Sequence, residues 1–171
     1  HGSLPCTGGS PWWYAILAKK KGAEYVKQAY REEMFKLLHN FEIVAKAVIK
    51  RGGQISFEWP EQCDYWKDPI VQGVLNRLGL TFVTIHGCTL GWVSKFGRGA
   101  NRGRPIKKPL RIASRSVNKL VAFAPYKWPG KHAHPHHAPA EGKDTKATAT
   151  YTPQFCQVWH GADQEDAIEY Y

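Results

Sequence analysis

The sequence predicts an α/β fold in which helices flank a mostly parallel sheet, and three observations predict it. A long segment at 22–51 has apolar residues spaced by three and four, which is typical of an amphipathic helix. Three short segments alternate apolar and polar residues or are rich in β-branched ones, which is typical of strands. The order helix, strand, helix, strand favours parallel neighbours. A length of 171 residues fits a single domain over 1–171.

Start and stop signals mark the individual elements. Gly52 and Gly53 end the first helix because glycine readily leaves the helical conformation. Asp68 is expected to cap the second helix, Pro69 suits its first position, and Gly79 is expected to end it. The predicted helices are about 22–51, 68–79, 116–123 and 152–161, and the predicted strands are 54–60, 80–85 and 107–113.

Basic residues concentrate in one part of the chain. The formal net charge is +10, and residues 95–146 hold thirteen Lys or Arg against two acidic residues. This clustering predicts a polyanion partner, and we expect nucleic acid, in particular duplex DNA. The Gly-rich stretch 86–105 is either a flexible linker or a basic loop that orders on nucleic acid. The residues expected to contact nucleic acid are Lys95, Arg98, Arg102, Arg104 and Arg115.

The cysteines and the chain ends bear on the setting. No apolar run approaches the roughly 20 residues that cross a bilayer, and the N-terminus lacks the features of a secretory signal. Four widely spaced cysteines without a Cys-x-x-Cys pair predict reduced thiols and an intracellular setting. The chain begins without methionine, which we interpret as a cut from a longer polypeptide whose remainder is an expected partner.

Two residues are candidates for chemistry. Cys6 lies in a loop, and its thiol would be nucleophilic only beside a cation or a helix N-terminus; an ordinary thiol is the alternative. Glu58 ends the predicted strand 54–60 before Pro60, and the carboxyl ends of strands face the ligand crevice in sheets flanked by helices. A solvated glutamate is the alternative. Glu42, on the first helix, is expected at the surface.

A Pro- and His-rich loop at 126–150 raises the question of a metal. It contains His132, His134, His136 and His137, and imidazole is the commonest metal ligand. Cys156 and His160 lie one helical turn apart on the last predicted helix. No complete zinc spacing is present, so a plain polar loop is the alternative. The expected zinc ligands are His132, His134, His136, Cys156 and His160.

The order of these motifs resembles the catalytic half of cytosine-C5 DNA methyltransferases. That family has a Pro-Cys loop, then a strand ending in Glu-Asn-Val, then a Gln-x-Arg-x-Arg motif. In this sequence the first motif is resembled by Leu-Pro-Cys at residues 4–6 and the second by Phe-Glu-Trp at residues 57–59. The segment 105–112 occupies the place of the third motif. The resemblance spans most of 4–113 and extends to methyltransferase-like domains of mobile-element polyproteins. It implies a partial Rossmann-like fold.

The resemblance also implies roles for particular residues. Cys6 would add to C6 of cytosine, and Glu58 would hold the ring at N3. A basic group among Lys107, Lys108 and Arg111 would steady the charge. The family binds S-adenosylmethionine through a half that precedes the Pro-Cys motif, so an upstream half would have to supply that cofactor. We therefore expect a methyltransferase-derived domain that contacts nucleic acid without independent activity. The alternative is a non-catalytic nucleic-acid-binding module with a structural zinc at the His-rich loop.

Overall fold

The structure is a computed structural model that describes residues 1–2, 4–11, 13–14 and 22–168. Its helices are α1 (Ala23–Lys50), α2 (Pro69–Leu78), α3 (Val117–Phe123), α4 (Lys143–Ala147) and α5 (Pro153–Ile168). Its strands are β1 (Ser56–Pro60), β2 (Thr81–His86) and β3 (Pro109–Ser114). These bounds confirm the predicted helices and strands, except that α5 continues to Ile168 and α4 was not predicted.

The three strands form one sheet in the order β1-β3-β2. Arg115, just after β3, donates its backbone N–H to Ile55, just before β1. Gly87, just after β2, donates to Lys107, just before β3. Both neighbouring pairs are therefore antiparallel, and the predicted mostly parallel, Rossmann-like sheet is wrong. The reason is that β3 enters between β1 and β2, so the two strands that α2 connects are not hydrogen-bonded neighbours.

The chain divides into two compact units. The first unit contains 1–82 and 111–116, and the second unit contains 83–110 and 117–171. The prediction of one domain over 1–171 stays a prediction. Within the part of the chain that the structure describes, no helix combines the length and the apolar character that a bilayer crossing requires.

The core of the first unit is built from one stripe of α1 and one face of β1. Met34, Leu38 and Ala45 follow helical spacing along α1, and all three are buried. Phe57 and Trp59 alternate with more exposed neighbours on β1, as side chains on a strand do. Their rings contact each other and Trp66, with centroids 5.0–5.5 Å apart. This aromatic cluster holds the helices and the strand together.

The second helix has the ends that its sequence predicts. The Asp68 side chain accepts a hydrogen bond of 2.9 Å from the Ile70 backbone N–H, and Gly79 ends α2 in the left-handed conformation. The structure corrects the expectation for Glu42, which is only 7% exposed. Its carboxylate accepts two hydrogen bonds, of 2.7 and 2.8 Å, from Arg77 of α2 because the two helices pack together.

The second unit buries aromatic side chains between α3 and α5. The Phe155 ring lies 5.0 Å from Phe123 and 5.7 Å from Trp159, measured between centroids. Lys119 is buried on α3, where its ammonium pairs with Asp163 at 2.6 Å and lies 4.1 Å from the Trp159 ring centroid. These contacts fix α3 and α5 as a pair, and the longer loops of this unit carry the candidate sites.

Candidate nucleic-acid interface and metal cluster

The basic loop, defined as residues 93–105, is closed by its own backbone. Val93 and Pro105 form an antiparallel bridge. The Ser94 N–H donates to the Arg104 carbonyl at 2.9 Å, and the Gly103 N–H donates to the Ser94 carbonyl at 2.8 Å. The stretch is therefore an internally hydrogen-bonded loop and not an unstructured linker.

A buried carboxylate, that of Asp144, fastens this loop from within the second unit. Asp144 is 2% exposed and accepts hydrogen bonds from the Ser94 hydroxyl at 2.6 Å and from the Lys95 and Phe96 N–H groups at 2.9 and 3.2 Å. Donation from Ser94 is the largest cause that lowers the pKa of Asp144, followed by the backbone N–H groups, and together they outweigh the effect of burial. The carboxylate is thus held in its ionised form.

Beside the basic loop lies a cleft of about 630 Å³. Its lining includes Phe96, Arg98 and Lys143, together with the acidic residues Glu141 and Asp144. The Phe96 ring is 55% exposed, and the Lys143 ammonium lies 5.9 Å from its centroid. An exposed ring offers a surface on which a base can stack, while the guanidinium and ammonium groups can contact phosphates.

The basic residues expected to contact nucleic acid fall into three groups. Lys95, Arg98 and Arg102 are exposed on the basic loop, whereas Arg104 is half-buried in the same loop. Arg115 is exposed but belongs to the first unit. The sequence did not single out Lys143, because nothing local indicates that α4 adjoins the basic loop through Asp144.

The two residues proposed as nucleophile and acid are not brought to one face of β1. Cys6 is half-buried and packs against the core cluster that contains Phe57 and Trp59. Because side chains alternate along a strand, half-buried Glu58 lies on the opposite face from those two rings. The nearby Cys63 thiol has its pKa raised to about 12, mainly by burial, with a smaller contribution from Cys6. The catalytic roles of Cys6 and Glu58 stay predictions.

The three basic candidates for catalysis each lie over aromatic rings. The Arg111 guanidinium is 4.6 Å from the Phe82 ring centroid in the first unit. In the second unit, the Lys107 ammonium is 4.8 Å from the Trp128 centroid. The Lys108 ammonium, also in the second unit, lies 5.5 Å from the Trp92 ring centroid and donates to the Thr148 carbonyl. These contacts account for the three cations as cation–π or hydrogen-bonding groups, and their catalytic role stays a prediction.

Three possible metal ligands converge in the second unit. The ring nitrogens Nε2 of His134 and His137 are 2.8 Å apart. The Cys88 Sγ and one ring nitrogen of each histidine all lie within 4.8 Å of one another, and the three residues are half-buried. We call these three residues the Cys-His-His cluster. Sulfur and imidazole nitrogen are the ligand atoms that zinc prefers in proteins.

The surroundings of the Cys-His-His cluster fix its orientation. The Trp128 ring lies 4.8 Å from the His137 ring and 6.0 Å from the His134 ring, between centroids. The backbone N–H of Trp128 donates to Nδ1 of His86 at 2.8 Å, which ties this loop to the end of β2. Burial, followed by the charges of His134, Lys107 and His86, lowers the pKa of His137, so its imidazole is neutral near pH 7.

The cluster differs from the ligand set expected from sequence. Of the five expected ligands, only His134 belongs to the group of three that the described residues form. His132, His136 and His160 are exposed, and Cys156 lies half-buried on α5. The reason is that Cys88 comes from a turn after β2 that is remote in sequence from the histidines, so no local spacing could indicate it. His137 was visible in the histidine run but was not among the expected ligands.

Comparison of the chain with protein-family models, with curated proteins and with solved structures finds no match.

Proposed function

We propose that the chain binds single-stranded nucleic acid at the basic loop and the adjoining cleft. The observation that carries the proposal is the exposed Phe96 ring, which lines one cleft together with Arg98 and Lys143. Proteins that bind single strands combine cations that follow the phosphates with aromatic rings on which bases stack. The same surface holds both kinds of group within one ordered loop and its neighbour α4.

The electrostatics of this surface support an anionic partner. Lys95, Arg98 and Arg102 are exposed on the basic loop, so their charges are accessible to phosphate groups. The Asp144 carboxylate is directed into the loop's own N–H and hydroxyl groups, which leaves it little capacity to repel a ligand. Glu141 is exposed at the cleft and is the acidic residue that opposes an anion there.

A single strand fits this surface better than the duplex DNA that the sequence suggested. Bases in a duplex are stacked on each other, so a ring such as Phe96 can stack only on bases that are unpaired. The basic loop also has no helix or paired strands of a length that fills a major groove. Duplex DNA would therefore contact only the cations, and it should bind more weakly.

Fluorescence anisotropy with a labelled single-stranded oligonucleotide and a duplex of the same length tests the proposal. We expect the single strand to bind more tightly, with affinity that falls steeply as salt increases because phosphate contacts release counterions. Phe96→Ala should weaken single-strand binding by about tenfold, from the loss of one stacking contact. Arg98→Ala should weaken binding and lower the salt slope by about 0.7.

A matched control separates this surface from charge in general. Lys36→Ala removes one positive charge from an exposed position on α1, so it should leave affinity and salt slope nearly unchanged. Equal effects of Lys36→Ala and Arg98→Ala would contradict the proposed surface. Binding that is absent or independent of salt would contradict a nucleic-acid partner altogether.

Cytosine methylation is not part of this proposal. The chemistry needs a thiol and a carboxylic acid on one base, and Cys6 and Glu58 lie toward different faces of β1. Descent from a methyltransferase, and binding of S-adenosylmethionine with an upstream half, stay predictions. An oligonucleotide carrying 5-fluorocytosine tests them: a covalent adduct that forms with the wild-type chain and not with Cys6→Ser would restore the methyltransferase hypothesis.

A further inference from the structure

The Cys-His-His cluster joins two segments that are otherwise separate in sequence. Cys88 lies in the 3-10 turn Gly87–Leu90, which directly follows β2. The turn is fixed by the Gly87 N–H, which donates to the Lys107 carbonyl, and by the Thr89 hydroxyl, which donates to the His86 carbonyl at 2.7 Å. The sulfur atom therefore belongs to a rigid part of the second unit.

The two histidines belong to a loop that has little regular structure. Residues 127–142 contain no described helix or strand. The loop is held by a hydrogen bond from the Ala138 N–H to the Pro105 carbonyl at 2.9 Å and by the contact of Trp128 with His86. The Nε2 atoms of His134 and His137 share a hydrogen bond of 2.8 Å, and one ring nitrogen of each histidine lies within 4.8 Å of the Cys88 sulfur. This hydrogen bond holds the two imidazoles together, and a metal ion bound by both would take the place of its proton.

We propose that Cys88, His134 and His137 bind one zinc ion, which fastens the His/Pro-rich loop to the turn after β2. The thiolate and one ring nitrogen of each histidine supply three ligands, and a fourth position remains for a ligand from outside this set. Zinc is favoured over magnesium or calcium because the set has sulfur and imidazole nitrogen and no carboxylate.

The distances are close to those of such a site. In a tetrahedral zinc site the bonds are about 2.0 Å to nitrogen and about 2.3 Å to sulfur, so two nitrogens lie about 3.3 Å apart and a nitrogen and sulfur about 3.5 Å apart. The two Nε2 atoms are 2.8 Å apart, and one ring nitrogen of each histidine is within 4.8 Å of the sulfur. The nitrogens would have to separate by about 0.5 Å and the sulfur would have to approach by up to about 1.3 Å, which requires rotation of the three side chains.

The neighbours of the cluster are compatible with a metal. The Trp128 ring contacts the His137 ring edge-on and lies tilted beside the His134 ring, so it supports both imidazoles from one side. Burial raises the pKa of the Cys88 thiol, and the Lys107 ammonium opposes that effect only in part. A zinc-bound cysteine is a thiolate, so zinc binding would release this proton.

Metal analysis and cobalt substitution on the full 171-residue chain test the site. A chelator first removes any bound metal, and the chain is then titrated with Zn²⁺. After dialysis, elemental analysis measures the number of zinc ions bound per chain. We expect one zinc per chain and a higher Tm with zinc, because the ion binds only the folded state. Co²⁺ in place of zinc should show a thiolate-to-cobalt charge-transfer band and the visible absorption of a tetrahedral site.

Two pairs of variants assign the ligands. Cys88→Ser and His137→Gln should each weaken zinc binding by more than about tenfold, since even partners outside the coordination sphere cost that much. Cys156→Ser and His132→Gln should bind zinc as the wild-type chain does. Loss of zinc in Cys156→Ser, or unchanged binding in Cys88→Ser, would overturn the site. Where Cys88→Ser fails to fold, the wild-type cobalt spectrum decides, and a spectrum without the charge-transfer band overturns the proposal.

Discussion

The two compact units both bury aromatic rings, but the second unit uses ionisable side chains for more of its loops. In the first unit, neutral aromatic donors hold loop carbonyls: Trp59 Nε1 donates to the Leu4 carbonyl at 2.9 Å, and the Tyr65 hydroxyl donates to the Thr7 carbonyl at 3.0 Å. The second unit has one such donor, because Trp92 Nε1 donates to the Thr150 carbonyl at 3.1 Å. Its other loops are held by ionisable side chains: Asp144 fastens the basic loop, His86 accepts from the Trp128 backbone N–H, and Lys108 donates to Thr148.

This difference indicates how each unit responds to its surroundings. A neutral indole or phenol donor keeps its hydrogen bond at any pH near neutrality. A carboxylate or imidazole changes its bonding with protonation, and imidazole also with metal binding. We therefore infer that the loops of the first unit keep these hydrogen bonds as pH changes, whereas the loops that Asp144 and His86 hold in the second unit are sensitive to acid or metal. The following changes test that contrast.

The largest effect is expected in the aromatic core of the first unit. Phe57 is 0% exposed and contacts Phe41, Trp59 and Trp66. Phe57→Ala should lower the free energy of unfolding by about 3–5 kcal/mol, because it removes buried apolar surface and leaves a cavity. Phe82→Ala makes the same change at a ring that is 48% exposed, so it should cost much less. Chemical denaturation measures both, and equal losses would contradict the assigned core.

The elements were predictable from sequence because their signals are local. Asp68, Pro69 and Gly79 act on neighbouring residues, so the ends of α2 follow from the sequence alone. Strand neighbours are not local: β3 reaches its place between β1 and β2 only after a long intervening segment. The pattern of residues in that segment does not indicate that β3 will pair with β1 on one side and with β2 on the other.

The candidate sites were predictable only in part, for the same reason. The concentration of basic residues and the histidine run are compositional, and both were visible. Cys88 and Asp144 act on partners that are distant in sequence, so neither could be assigned from it. Glu42 was expected at the surface because a buried carboxylate needs a partner. That partner is Arg77 of α2, which is distant in sequence and therefore could not be assigned from it.

The next effect is expected at the carboxylate that fastens the basic loop. Asp144→Asn keeps the size of the side chain but removes its charge and one acceptor oxygen. Hydrogen exchange of the Lys95 and Phe96 amides should become about tenfold faster, because their hydrogen bonds to a charged oxygen become weaker bonds to a neutral one. Glu141→Gln, at an exposed position on the same cleft, is the control and should leave this exchange unchanged.

The wild-type loop should also respond to acid in a defined direction. Because the fold lowers the pKa of Asp144 from its usual 3.8, protection of the loop amides is complete above pH 3.8 and is lost as pH falls through the lower folded value. After correction for intrinsic exchange rates, the Asp144→Asn variant should show no such step. A step of equal size in both proteins would assign the acid response to another group.

A smaller effect is expected where the first unit does use charge, between α1 and α2. The Arg77 hydrogen bonds, with those from Lys46, lower the pKa of Glu42 to about 2 from 4.5. Glu42→Gln should cost about 1–2 kcal/mol at neutral pH, since Arg77 is half-exposed and solvent weakens the pair. The wild-type advantage should shrink as pH falls from 4.5 towards 2. Chemical denaturation at several pH values measures this difference in the free energy of unfolding. Glu33→Gln, at an exposed position on α1, is the control. A wild-type chain that stays more stable than Glu42→Gln by the same amount at pH 2 would contradict the ion pair.

The smallest effects come from making one change in both units. Gly79 and Gly103 both have positive φ, at 62° and 80°, and neither has an atom closer than 4.0 Å to an added Cβ. Alanine is therefore strained by its backbone alone at each position.

Gly79→Ala should lower the free energy of unfolding by about 1 kcal/mol, because α2 ends there within the packed first unit. Gly103→Ala should change global stability less and should instead accelerate exchange of the basic-loop amides, because a loop held by few hydrogen bonds can open locally. Equal global losses in the two variants would show that the basic loop unfolds only with the rest of the chain, and the contrast between the units would then fail.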